Sequence, residues 1–172
     1  LLCLDQGDLD GATQHIDAAS IRGEGAIVSY VRGNIAANQG HLKAAKSYFD
    51  EAIETDPTHV RARVNRASIH MASGNAQDAL DDANVLLELA PGLALAKLRR
   101  AEANMMLTNW EAAKDDLEVI IEDAPHHHHA LTQLAACYIS MDRPEKAEAP
   151  LNEALRLAPD HTDAWHQRGL LY

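Results

Sequence analysis

The clearest pattern along the chain is helical. In "VRARVNRASIHMASGNAQDALDDANVLLELAPG", Val60 to Gly92, apolar residues recur at intervals of three and four. The first run predicts a helix from about Val60 to Ala72. Ser73-Gly74-Asn75 then makes a turn, with glycine the natural residue just past a helix end. A second helix from about Gln77 to Leu89 gathers Ala79, Leu80, Ala83, Leu86 and Leu87 on one side. Ala90-Pro91-Gly92 stops it, because proline cannot continue the hydrogen-bond ladder. Neither helix hides its apolar stripe alone, so the hairpin predicts stacked neighbours.

The same pattern returns at a fixed interval. Pro57, Pro91, Pro125 and Pro159 are each 34 residues apart (91 − 57, 125 − 91, 159 − 125). Ala45, Ala79, Ala113 and Ala147 keep the same register, and Ala12 joins them. Gly33, Ala67, Ala101, Ala135 and Gly169 coincide and are all small, which lets two helices approach closely. Phe49, Leu117 and Leu151 are the large residues that fill the space between. Gly7, Gly40, Gly74, Thr108 and Asp142 fall together at the mid-unit turn. This register predicts a single array over 1–172. It has full units at 26–59, 60–93, 94–127 and 128–161, and partial units at 1–25 and 162–172. The first partial unit drifts by one residue, and "IRGEGA", Ile21 to Ala26, makes a looser joint. The uncapped ends predict that the array continues on both sides, since solenoids need polar caps. Pro144 suits a first helical turn, whereas Pro150 falls well inside a helix and predicts a kink near Lys146.

A 34-residue helix–turn–helix unit with small, Ala and Pro positions at fixed offsets resembles the tetratricopeptide repeat. "TDAWHQRGLLY" carries the family's opening signature in Trp165, Gly169 and Tyr172, and "NQGHLKAAKSYFDEAIETDP" resembles its second half. The resemblance implies an all-α, right-handed α-α superhelix (solenoid) whose first helices line a concave groove. It implies a non-catalytic scaffold that binds a peptide or partner segment there. The candidate groove residues are Tyr30, Asn34, Arg61, Asn65, Met71, Arg99, Met105, His129, Gln133 and Gln167. Asn65, Arg99, Gln133 and Gln167 form one row at the repeat interval, suited to bonding the backbone of an extended peptide. The row is similar to the asparagine ladders of O-linked N-acetylglucosamine transferase arms. Asn34, Asn65 and Arg99 also stand at three places of the carboxylate clamp of chaperone-binding repeats. Its two lysine places hold Tyr30 and Leu95 instead, which removes charge from that grip. A narrower similarity, to long bacterial repeat proteins of exopolysaccharide and envelope assembly, implies the alternative of a repeat arm in a larger enzyme or secretion assembly. The location is then periplasmic or lipid-anchored rather than cytoplasmic.

Charge and chemistry narrow the partners. The net charge is −11, from 26 acidic and 15 basic residues, which disfavours nucleic acid and anionic lipid. No stretch is long and apolar enough for a membrane span. The expected partner is therefore a protein or peptide, with end-to-end self-association through uncapped repeats as a further mode. Cys3 and Cys137 lack any CxxC context and read as small buried residues, with no disulfide or zinc site. No Gly-rich phosphate loop, GxSxG, HExxH or Cys–His pattern is present, so no cofactor, catalytic residue or metal site is expected. His126 to His129 fall in the inter-unit bend and the next helix start, with only His129 facing the groove. Asp81-Asp82 and Asp115-Asp116 read as solvated faces. Trp110 falls at a packing place, and one of Met105 and Met106 should face the groove and the other the core.

Overall fold

The computed structural model of the protein describes residues 25–171, so the expectations for Cys3, Gly7 and Ala12 fall outside the described residues. Those residues form nine α-helices and no strand. In chain order they are α1 (Gly25–Asn38), α2 (Leu42–Thr55), α3 (Val60–Ala72), α4 (Ala76–Leu89), α5 (Ala94–Met106), α6 (Trp110–Asp123), α7 (His128–Ser140), α8 (Pro144–Leu157) and α9 (Thr162–Gly169). The first helices α3, α5, α7 and α9 start at 60, 94, 128 and 162, and the second helices at 42, 76, 110 and 144. Each start is the previous one plus 34, so the proline clock in the sequence is the clock of the helices. None of the described helices is long and apolar enough to cross a membrane.

The described residues divide into two compact units, 25–91 and 92–171, at the joint Pro91–Gly92. In the first, α1 packs on α2, α2 on α3 and α3 on α4. Its core holds Ala36, Ala45, Phe49, Ala52, Ala62 and Ile69. Phe49 is fully buried. A Cβ built on Gly33 would stand 2.5 Å from Phe49 Cε1 and 2.7 Å from Cδ1. The ring therefore requires glycine there. In the later repeats the same two places are filled by Ala67 with Ala83, Ala101 with Leu117, and Ala135 with Leu151. A smaller residue on the second helix goes with a larger one on the first, as close packing demands.

In the second unit α5 packs on α6, α6 on α7, α7 on α8, and α9 on both α7 and α8. One cluster gathers Leu98, Ala101, Leu117, Ile120, Leu134 and Cys137, and another Leu131, Ala135, Leu151, Ala154 and Ala164. Cys137 is fully buried as expected, and burial pushes its thiol up to about 12. Trp110 packs half-buried against the first cluster, consistent with a packing residue.

All four described mid-unit turns use the same bonds. The residue at the turn has φ of +76° at Gly40, +77° at Gly74, +61° at Thr108 and +58° at Asp142. Its N–H donates three residues back, and the next N–H donates five back, as in Asn75 to His70 (2.8 Å) and Arg143 to Tyr138 (2.9 Å). This is the helix-ending motif that a left-handed residue makes. Thr108 adopts it against the preference of a β-branched side chain.

The acidic pairs correct the expectation of solvated faces. Asp81 and Asp115 are exposed, but Asp82 and Asp116 are only 3% and 6% exposed. Asp82 accepts from Arg66 Nε at 2.9 Å and from Arg63 Nη1 at 3.3 Å. Arg66 also donates to Asp50 at 2.8 Å. Its carboxylate partner Asp82 holds the Arg66 guanidinium well above its usual value, against the opposing effect of burial, with Asp50 adding to the rise. Asp116 accepts two bonds of 2.7 Å from Arg100. The second member of each acidic doublet points inward because an arginine 16 positions earlier waits for it (82 − 66, 116 − 100).

The next repeat lacks both members. Leu134 stands where Arg100 stands, and Pro150 where Asp116 stands, each 34 positions on. The helix α8 runs unbroken through Pro150 and keeps the 14-residue length of α2, α4 and α6. Proline is tolerated at a place with no buried arginine to satisfy.

Candidate functional site

Within each compact unit, polar side chains on successive first helices meet. In the first unit Asn65 Nδ2 on α3 donates to Asn34 Oδ1 on α1 at 2.6 Å. Two amides on successive first helices are thus brought together, although they stand 31 positions apart rather than one repeat of 34. Tyr30 lies on the same helix as Asn34 and is half-buried, its ring 4.9 Å from His59 and 6.2 Å from Phe49. Part of Tyr30 therefore belongs to the core. Met71 is half-buried and Arg61 is exposed.

In the second unit three candidate residues converge on one carboxylate. Arg99 Nη1 donates to Glu102 Oε2 at 2.6 Å on α5. From α7, Gln133 Nε2 donates to Glu102 Oε1 at 3.3 Å, and His129 Nε2 lies 3.4 Å from the same oxygen. Burial pushes the Glu102 carboxyl up, but the bonds from His129, Arg99 and Gln133 and the Arg99 charge outweigh it and hold the group below its usual value. Arg99 Nε and Gln133 Oε1 are buried without a hydrogen-bond partner. Gln167 lies half-buried on α9. Met106 is 46% exposed, while Met105, the groove candidate, packs half-buried against the core cluster. The helix turn carries Met105 inward, so its share in an outer face is small.

Glu102 is the residue that reading candidate rows missed as a centre. The signal was present: Glu102 follows Arg99 by three positions, the spacing at which a carboxylate and a cation meet on one helix face.

The histidine run divides into separate tasks. His127 ends the bend, and its Nδ1 accepts the N–H of Ala130 at 3.1 Å, capping α7. His59 caps α3 in the same way through Ala62, also at 3.1 Å. Both caps need an unprotonated Nδ1. His128 packs edge-on against His161 with ring centres 5.1 Å apart, and His126 is exposed with Nδ1 3.8 Å from Glu153. The bend is less indifferent to sequence than its loop position suggested. Among the described residues, no three His, Cys, Asp or Glu side chains are grouped to hold a metal ion.

Comparison with known proteins agrees with this geometry. Tetratricopeptide repeat family profiles match residues 30–94 and 105–168. The chain belongs to the tetratricopeptide repeat family. Solved structures of similar fold include YrrB, a tetratricopeptide protein described as having an unusual peptide-binding site. It is 21% identical, with a TM-score of 0.83 over 98% of this chain and 87% of that one. Another is MamA from Desulfovibrio magneticus RS-1, 18% identical, with a TM-score of 0.82 over 93% and 91%. The first tetratricopeptide domain of Spaghetti (RPAP3), bound to the HSP90 peptide SRMEEVD, is 26% identical, with a TM-score of 0.66 over 69% and 94%. No curated protein sequence matches the chain.

Proposed function

We propose that this tetratricopeptide chain is a non-catalytic interaction scaffold that binds an extended peptide segment on the polar face of its first helices. The observation that carries the reading is the pairing of amide and charged groups across successive first helices. Asn34 meets Asn65 in one unit, and Arg99, Glu102, His129 and Gln133 meet in the other. Such groups bond to the main chain of a ligand and ask little of its side chains. On the same first helices, Tyr30 and Met71 offer apolar surface, Arg61 a charge and Gln167 a further amide. The peptide seated on the RPAP3 domain, the more similar in sequence of the relatives described above, supports a peptide ligand here.

The test uses peptides selected against the wild-type chain from a random library. Their affinity is then measured for Asn65→Ala, for Arg99→Ala with Gln133→Ala, and for Glu122→Gln on α6. The first two are expected to weaken binding about tenfold or more, and the last to leave it unchanged. Equal affinity for all variants would remove this face from the binding site.

A further inference from the structure

Arg99 is the natural cation for a ligand carboxylate on the second unit's polar face, but it already has a partner. Its Nη1 donates to Glu102 Oε2 at 2.6 Å. Glu102 is held in turn from a second helix, by Gln133 at 3.3 Å and the His129 ring at 3.4 Å. An exposed pair three positions apart on a helix is solvated and loosely held. This carboxylate is clamped from two helices, and its side chain is 17% exposed. The clamp also leaves a donor and an acceptor stranded, since Arg99 Nε and Gln133 Oε1 are buried with no partner. Buried groups of that kind call for an explanation, and each gains by turning to a new partner.

We infer that Glu102 is a built-in occupant of the anion site at Arg99, so that this face accepts uncharged peptide main chain and rejects acidic peptide ends. A ligand carboxylate has to displace one that is tethered three residues away and meets its charge in doing so. An uncharged peptide group meets no such competitor. Its C=O accepts the N–H that Arg99 Nε leaves unplaced, and its N–H is accepted by Gln133 Oε1 once those side chains turn. Glu102 is thereby a specificity-determining residue. The inference rests on the peptide-binding reading for its ligand, but the state of Arg99 can be tested apart from it.

The probe is the acidic peptide SRMEEVD with a free C-terminus, titrated into the full chain and followed by fluorescence anisotropy. Glu102→Gln is expected to bind it about tenfold more tightly than wild type. Adding Arg99→Ala to that variant should abolish the gain. Glu122→Gln removes one exposed acid elsewhere and controls for net charge, with an expected change under about twofold. Circular dichroism checks folding, and Glu102→Ala repeats the test should the glutamine variant fold poorly. A Glu102→Gln variant no tighter than wild type, or a gain that Glu122→Gln matches, overturns the inference. A gain for Glu102→Gln stands even where selected neutral peptides ignore Asn65 and Gln133, an outcome that sinks the groove reading alone.

Discussion

Gly40 and Gly74 turn the hairpins of residues 25–91, whereas Thr108 and Asp142 turn those of residues 92–171, all at positive φ. The backbone is the same and the strain is not. A left-handed residue with a Cβ costs roughly 1–2 kcal/mol that glycine avoids. The same contrast appears in buried charge. The first unit joins Arg63, Arg66, Asp50 and Asp82 in one network, while at the matching places of the repeat the second has the pair Arg100–Asp116 and then Leu134 with Pro150. Repeats therefore hold one geometry with different energies at each place. The period fixes where a residue sits, and the residue decides what that place contributes.

The largest expected effect lies in the buried network. Asp82→Ala leaves Arg63 and Arg66 short of a carboxylate, and it should cost about 3 kcal/mol in chemical denaturation. Asp116→Ala strands only Arg100, whose side chain is 36% exposed, and should cost about 1 kcal/mol. Equal losses would break the contrast between the units. Native-state hydrogen exchange assigns each loss to its own unit.

Gly33→Ala comes next. The new methyl collides with the buried Phe49 ring, at an expected cost of about 2 kcal/mol. Adding Phe49→Leu installs the pair that Ala101 and Leu117 make in the second unit, and it should recover much of the loss. A double variant no better than the single would show that the places are not equivalent.

Thr108→Gly gives the second unit the turn residue of the first. It should raise stability by about 1 kcal/mol, read as a higher melting temperature, and Asp142→Gly should gain less because Asp tolerates this conformation better. The smallest effect is on pH. Glu102 is depressed in the fold, so it contributes stability above its unfolded value of 4.5 that is lost as pH falls through the lower folded value. Glu102→Gln should flatten the acid limb of stability below about pH 4.5, and an unchanged slope would show that the clamp does not form in solution.

Much of this fold is legible in one sequence because the repeat states its own register. Helix starts, the turn at Gly74, the packing of Trp110 and the burial of Cys137 all follow from period and composition. The interior of Asp82 and Asp116 does not. A doublet of aspartates looks solvated along the chain, and the arginine that draws one inward lies on another helix. The positions of Asn65, Arg99 and Gln133 were readable as a row, but their partners were not. A hydrogen bond depends on side-chain reach across helices, which spacing alone does not report. The register places the histidine run in a bend and the next helix start, but the capping role of His127 depends on a ring nitrogen that no pattern announces.

The central claim is that the amides on the first helices are the contact surface for a peptide. Side-chain amide signals of Asn34, Asn65, Gln133 and Gln167 in a nitrogen–proton correlation spectrum report on it directly. Adding a selected peptide should shift these signals saturably and leave the backbone signals of Val119 and Glu122 on α6 in place. Shifts confined to α6, with the four amides unmoved, would contradict the account.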